Sequence, residues 1–383
     1  MSFFQSGDFY TRHFQPTDNE ETLVVNMGPQ HPSTHGVLRI IVELDGEYVK
    51  RCEPVLGYVH RMHEFMGQTK SWVQFWPNMG RVDYLHALAW NWAWAGAVER
   101  LGEIEVPERA EYIRVITCEL NRISSHLLWW GAYLLDLGAF TPIMYAFDDR
   151  EKIMDMLQEP TGSRLTYSYY RFGGVSADLS DKFLKSLAAF VPYLRSRLPM
   201  YRDLVTENVI LRKRVEDIGH IDADMCRRYG CTGPVSRGAG LGHDTRRVEP
   251  YSVYDRFDWE VPVYTQSDAW ARYMVRMDEI EQSLRIIEQA VATIPAGPFL
   301  AKTAPKPKWS APKGETCFAV EGARGKIVLY VASDGGRTPY RVKLRSPSYS
   351  NLSCFAEAGR GVLLADAVSI LGSLDLVIPE IDR

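Results

Sequence analysis

Eight apolar residues, Ile113, Ile116, Leu120, Ile123, Leu127, Trp130, Leu134 and Leu137, recur at alternating spacings of three and four. That period is the signature of one face of an α-helix. A seam this long has to be covered by other helices, so the chain is predicted to fold round a helical bundle. The helix is expected to begin behind Pro107, with Glu108 and Glu111 in its first turn, and to stop at Gly138, with Pro142 shortly beyond. A second seam, Tyr273, Met277, Ile280, Leu284, Ile287 and Val291, ends before Pro295 and Gly297. Residues 82–100 read as a Trp-rich apolar helix. Residues 179–207 read as a helix interrupted by Pro192 and Pro199.

Strands are expected at the two ends. Leu38, Ile40, Val42 and Leu44 alternate, then Asp45-Gly46 supplies a turn that accepts positive φ, and 47–53 returns as a hairpin. Residues 326–332 and 340–345 read as strands round the turn Asp334-Gly335-Gly336. The fold class is α+β, mainly α, with small β elements near both termini. The expected organisation is a loose arm over 1–21, a β-hairpin region over 22–60 and a helical core over 61–294. A proline-rich connector follows over 295–314, and a C-terminal α/β region over 315–383.

Composition narrows the function. Forty-four basic against 48 acidic residues leave a net charge of −4, which argues against a nucleic-acid partner. No apolar run is long enough to span a membrane, and no secretion signal is expected from the N-terminal residues. The six cysteines, at 52, 118, 226, 231, 317 and 354, contain no CxxC pair, so the chain encodes no thiolate metal site in the usual spacing. A reducing, cytosol-facing compartment is expected. The glycine-rich run 233–242 is neither a dinucleotide fingerprint nor a phosphate loop. Ten Trp and 20 Tyr are many for such a chain.

Three places carry chemistry. The run 28–36, GPQHPSTHG, is a stiff loop that either aims an imidazole or simply turns, with its histidines capping backbone groups. The stretch His60-Arg61-Met62-His63-Glu64, with Arg81-Val82-Asp83-Tyr84-Leu85-His86, reads as a buried ion-pair network or as a site. Asp136 is a lone carboxylate at the end of the best helix, either solvated or paired.

The stretches at 27–39, 109–142, 171–179, 271–280, 333–348 and 370–383 together resemble the 49-kDa, or D, subunit family of respiratory complex I, NADH–quinone oxidoreductase. The resemblance runs from about residue 22 to 383. That family is in turn similar to the large subunits of nickel–iron hydrogenases. The hydrogenase pattern R-G-x-E, sixteen residues, then R-x-C-G-x-C, falls here on Arg61, Glu64 and Arg81, with Asp83 and His86 at the cysteine positions. The closing pattern D-P-C-x-x-C-x-x-H/R falls on Asp375 to Arg383, with Val377 and Glu380 at the cysteine positions. The resemblance therefore implies a hydrogenase-shaped scaffold without its metal, to whose vacated site the C-terminal region returns.

What the resemblance implies about activity is specific. Quinone is the substrate, and its headgroup would meet His35 and Tyr84, with Asp136 partnering the histidine. Arg61 would lie near a [4Fe–4S] cluster held by a small iron–sulfur subunit of the B, or 20-kDa, type. Two further partners are implied: a subunit of the C, or 30-kDa, type and a membrane-arm subunit at the quinone entrance. The chain itself would bind no cofactor alone, NADH and FMN lying elsewhere in a proton-pumping complex. Its place would be peripheral, on the cytoplasmic side of the bacterial inner membrane. A homologous complex fed by ferredoxin or another donor, or a purely structural scaffold for the cluster subunit, are the alternatives.

Two departures matter. The family pattern H-R-G-x-E-K-x-x-E reads HRMHEFMGQ here, so its glycine, lysine and second glutamate are missing. Where many relatives carry a histidine that couples cluster potential to pH, four residues before Arg171, this chain carries Tyr167, which does not titrate near neutrality.

Overall fold

The seam residues from Ile113 to Leu134 are all essentially unexposed, and the helix carrying them is the spine of the protein. The computed structural model describes residues 22–29, 36–306 and 308–383. The arm 1–21 and the histidine loop 30–35 fall outside the described residues. In chain order come strands β1 (Leu23–Met27), β2 (Arg39–Asp45) and β3 (Tyr48–Val55), then helices α1 (His63–Thr69), α2 (Ala87–Gly102), α3 (Glu108–Asp136) and α4 (Thr141–Thr161). A short strand pair, β4 (Tyr170–Arg171) and β5 (Gly174–Val175), precedes α5 (Asp181–Tyr201) and α6 (Ala269–Thr293). Strands β6 (Gly314–Gly322), β7 (Gly325–Ser333) and β8 (Arg341–Arg345) follow, and then helices α7 (Pro347–Ser353), α8 (Leu364–Ser373) and α9 (Ile378–Asp382). The fold is α+β, mainly α, as expected.

The spine α3 packs on α2, α4, α6 and α8, so it is buried on nearly every side. A helix buried all round has to satisfy its polar residues internally. Arg114, Glu119 and Arg122 do so through ion pairs, and His126 through a hydrogen bond with Glu279. The sheet β6-β7-β8 is antiparallel and lies against α2. The sheet β1-β2-β3 is also antiparallel, and its Asp45-Gly46 turn closes on the pair Asp45 and Tyr48.

Two apolar cores result. The first joins the long helices to the inner face of β6–β8. The second joins β1–β3 to residues 218–241 and 352–381. Much of the aromatic excess is spent in the first core, where Trp72, Trp90, Trp92, Trp94, Trp130 and Trp259 are buried and Trp72 stacks on Trp94 at 5.8 Å. Among the described residues no helix is long and apolar enough to cross a membrane.

Three expectations are corrected. The Trp-rich helix starts at Ala87, not 82, because the Asp83 carboxylate accepts the N–H groups of Leu85 and His86 at 2.9 and 3.1 Å and holds a turn. Pro192 and Pro199 do not break α5. Both sit on its exposed side, where the missing N–H costs no buried partner, while Phe190, Val191, Leu194 and Leu198 anchor the opposite side. The helix then opens into one wide turn at Arg202–Thr206. Finally, the segment after the connector is itself a strand, β6, which the sequence reading missed.

Candidate functional site

The two cores meet at a buried centre made by Arg324. Ala323 and Arg324 form the tip of the β6–β7 hairpin, between the paired Gly322 and Gly325. Gly233 passes directly beneath that tip. A Cβ there would come within 2.3 Å of the Arg324 carbonyl oxygen, so only glycine fits. The tip drives the guanidinium inward. Its Nη1 donates to Asp83 Oδ2 at 2.7 Å and its Nη2 to Asp375 Oδ1 at 3.1 Å. Asp83 follows Val82 of the first core, and Asp375 lies between Leu374 and Leu376 of the second. One cation thus ties the two cores together.

Asp83, His86 and Glu380 gather round this arginine. His86 is fully buried. Its Nδ1 accepts the Ala323 N–H at 2.8 Å and its Nε2 faces the Cys118 carbonyl at 3.1 Å, so it is the neutral Nε2–H tautomer. Burial holds its pKa well below the ordinary range. Val377 is buried and offers no donor. Glu380 is completely buried, and burial together with the Asp83 anion pushes its carboxyl up to about 8. Arg324 and the Ser348 hydroxyl, which donates to Glu380 Oε2, offset only part of that. Among the described residues no group of three His, Cys, Asp or Glu is arranged to hold a metal ion.

The chain round Asp375 is clamped from the bundle. Arg276 of α6 donates to the Ser373 and Leu374 carbonyls at 2.9 and 3.2 Å, and its guanidinium lies 4.3 Å over the Trp129 ring. The Trp129 indole of α3 donates to the Gly372 carbonyl at 2.8 Å. Further ion pairs continue inward. Glu279 is bonded to Arg237 and to His126, Glu321 to Arg237, Asp244 to Arg246, and Glu119 to Arg246 and Arg122. Burial disfavours the Glu119 anion, yet Arg122 and Arg246 outweigh it and hold its carboxyl down to about 2.

Tyr84 sits in the turn before α2, not on the helix, and is 39% exposed at the edge of the centre. Burial raises its pKa above the ordinary tyrosine value. The Asp83 and Asp375 anions add to this, while the Arg324 and Arg61 cations oppose it. Arg61 is exposed but near enough for its charge to reach the phenol. Asp136 is half-buried at the end of α3. Its Oδ2 lies 3.6 Å from the point where a Cβ on Gly372 would stand, three residues from Asp375. Tyr84 and Asp136 therefore border the same short segment, 372–375. His35 lies outside the described residues. Within the stretch His60 to Glu64, His63 is buried and its pKa is lowered to about 4, chiefly by burial. Glu64 pairs with Lys343 at 3.1 Å.

The sequence reading missed Arg324, Arg276 and Ser348. A usable signal existed: Asp83 and Asp375 fall in apolar surroundings, where a carboxylate demands a cation. The cation's identity was hidden, because it is 241 residues from one partner and 51 from the other.

The fold and this centre describe a helical scaffold protein organised round a buried arginine held by two carboxylates. Comparison with known proteins gives its family. The family profile described as respiratory-chain NADH dehydrogenase, 49 Kd subunit, matches residues 136–310 and 303–383. An NADH-quinone oxidoreductase D subunit of Opitutus terrae is 59% identical over 363 residues, 95% of this chain and 91% of that protein. The NADH-quinone oxidoreductase D subunit of Desulfotalea psychrophila is 57% identical over 364 residues, 95% and 98% of the two chains. Its counterpart in Syntrophobacter fumaroxidans is 52% identical over 372 residues, 97% and 100%. The chain belongs to the family of the 49-kDa subunit of respiratory-chain NADH dehydrogenase.

Replacing Arg324 by Met leaves two buried carboxylates without their cation. The expected cost is about 3–5 kcal/mol, read as a lower thermal unfolding midpoint or failure to assemble. Arg324→Lys keeps a charge and should cost less. An Arg324→Met protein with an unaltered midpoint would show that the pairs do not hold the cores together.

Proposed function

We propose that the chain forms the quinone headgroup pocket of an NADH–quinone oxidoreductase, at its seam with a small subunit carrying a [4Fe–4S] cluster. Membership of the family makes it a subunit of that oxidoreductase complex. The observation that carries the finer reading is Tyr84: a partly exposed phenol held at the rim of a rigid, buried charged centre, with Arg61 beside it.

Reducing quinone to quinol takes two electrons and two protons. The electrons arrive from the cluster, and the protons have to be supplied to the two carbonyl oxygens. Tyr84 keeps its proton at neutral pH, so it can donate a hydrogen bond to one oxygen and then a proton as charge develops. His35 is the proposed donor to the other oxygen, and Asp136 the carboxylate that orients it and favours its charged form. The turn fixed by Asp83 limits the freedom of Tyr84, which lowers the cost of reaching the reactive geometry.

The surface supports a role inside a larger assembly. Met62 and Phe65 are exposed beside Arg61, a mixed surface suited to a subunit interface near the cluster. Phe140, Met144, Val209 and Ile210 are exposed near the Asp136 end of α3, an apolar area that partner subunits would cover. The 30-kDa-type subunit and a membrane-arm subunit are the proposed partners. Quinone is lipid-soluble, so the chain is placed at the cytoplasmic face of the bacterial inner membrane, in a complex that couples this reduction to proton pumping. NADH and FMN are handled by other subunits.

Tyr84→Phe and His35→Ala should each lower quinone reductase turnover on the order of tenfold or more, while the complex assembles and still passes electrons from NADH to an artificial acceptor. Unchanged quinone turnover in both variants would contradict the assignment. Tyr167 gives a second expectation. Burial raises its pKa to about 12, and its hydroxyl donates to the Arg164 carbonyl at 2.8 Å. The potential of the neighbouring cluster should therefore vary little between about pH 6 and 8. A redox titration with a steep slope across that range would contradict this.

A further inference from the structure

The last turn of α8 meets the end of α3 at a point where no side chain fits. Trp129, Tyr133 and Asp136 recur along α3 at spacings of four and three, so they share one face. Gly372 lies against that face. A Cβ on it would stand 2.7 Å from Tyr133 Cδ2, 3.1 Å from Tyr133 Cε2 and 3.6 Å from Asp136 Oδ2. The Tyr133 ring has little room to give way. It is fully buried, it stacks on Trp129 at 5.2 Å, and its hydroxyl lies 3.1 Å from Ser369 Oγ. The backbone is fastened at the same place, because the Trp129 indole donates to the Gly372 carbonyl at 2.8 Å. From there a continuous line of hydrogen bonds between buried groups runs to Tyr84. Arg276 holds the Ser373 and Leu374 carbonyls at 2.9 and 3.2 Å. Asp375 accepts from Arg324 at 3.1 Å, and Arg324 donates to Asp83 at 2.7 Å. Asp83 in turn fixes the turn that carries Tyr84. A close-packed interior passes a displacement along such a line rather than absorbing it.

We propose that Gly372 is a positioning residue: its missing side chain sets the distance between Asp136 and the turn that carries Tyr84, and so between the two ends at which the quinone headgroup is held. This rests on the quinone-pocket reading above, in which Asp136 orients His35. No bond is made or broken at Gly372. A headgroup held between two donors accepts both hydrogen bonds only when the donors are spaced for its two carbonyl oxygens, and such bonds weaken steeply away from their normal geometry. A methyl group at 372 has to be accommodated by moving α8 off α3. That movement takes Asp375 away from Asp136, and with it Arg324, Asp83 and the Tyr84 turn. Small misplacements of this kind, made away from the reacting atoms, are costly to turnover.

The test is a pair of variants and their combination in the intact complex. The readout is kcat/KM for quinone, divided by the rate of NADH oxidation with an artificial acceptor. Gly372→Ala should lower this ratio on the order of tenfold. Asp136→Asn should lower it as well. If Gly372→Ala acts by displacing Asp136 from its partners, the two losses overlap. Adding Gly372→Ala to Asp136→Asn should then lower the ratio by less than about twofold more. Losses that simply multiply would overturn the proposal, as would a natural ratio in Gly372→Ala. A fault of folding alone lowers both activities together, leaves the ratio unchanged and counts against the proposal in the same way. If Gly372→Ala does not assemble, Trp129→Phe takes its place. It keeps a ring beneath Arg276 but loses the N–H that holds the Gly372 carbonyl, and the same overlap with Asp136→Asn is expected. The two readings separate cleanly. A loss in Asp136→Asn without one in Gly372→Ala removes only the spacing role. A natural ratio in Asp136→Asn removes the assignment of Asp136 to the pocket as well.

Discussion

The contact on which the rest of the structure depends is the double ion pair of Arg324 with Asp83 and Asp375. The arginine comes from a hairpin tip, one carboxylate from the turn before α2, and the other from the segment after α8. Neither apolar core spans that junction alone. Moving a guanidinium and two carboxylates out of water is costly, and only close, hydrogen-bonded geometry offsets it. Here the geometry is supplied by neighbours: Gly233 lets the tip approach, Arg276 grips the Ser373 and Leu374 carbonyls, and Asn351 donates to the Arg324 carbonyl at 3.2 Å.

That arrangement also shapes the chemistry. The centre is an arginine between two aspartates, with a neutral His86 and Glu380 buried beside it. A fixed cation and two fixed anions set the field at Tyr84. The phenol stays protonated at neutral pH, and burial beside the Asp83 anion raises the pKa of the Glu380 carboxyl. The inner ion pairs of Glu119, Asp244, Glu279 and Glu321 serve a different end. They satisfy the polar side of a spine helix that no water reaches.

The elements legible from sequence were those with a strong local period. The seam of α3, the seam of α6 and the Asp45-Gly46 hairpin are all present. Where local and long-range forces compete, the reading failed. Residues 82–86 run directly into the apolar helix behind them, but the Asp83 carboxylate captures two backbone N–H groups and delays the helix. Strand β6 lacks a clean alternation, since its first half is partly exposed and its second half is buried on both faces. Within the site, Tyr84, Asp136 and Arg61 were reached through family resemblance, not periodicity. Asp83 was visible as half of an ion pair, but Arg324 was not, since nothing local ties a hairpin tip to a turn 241 residues earlier.

The central claim is that quinone is reduced against the Tyr84 edge of this centre. It is tested most directly by a quinone whose headgroup carries a photoreactive substituent, activated in the intact complex and followed by mapping of its adducts. The account predicts adducts within residues 81–86 and at the Asp136 end of α3, both suppressed by excess unmodified quinone. Adducts absent from both segments, or on this chain only at sites that excess quinone does not protect, would contradict it.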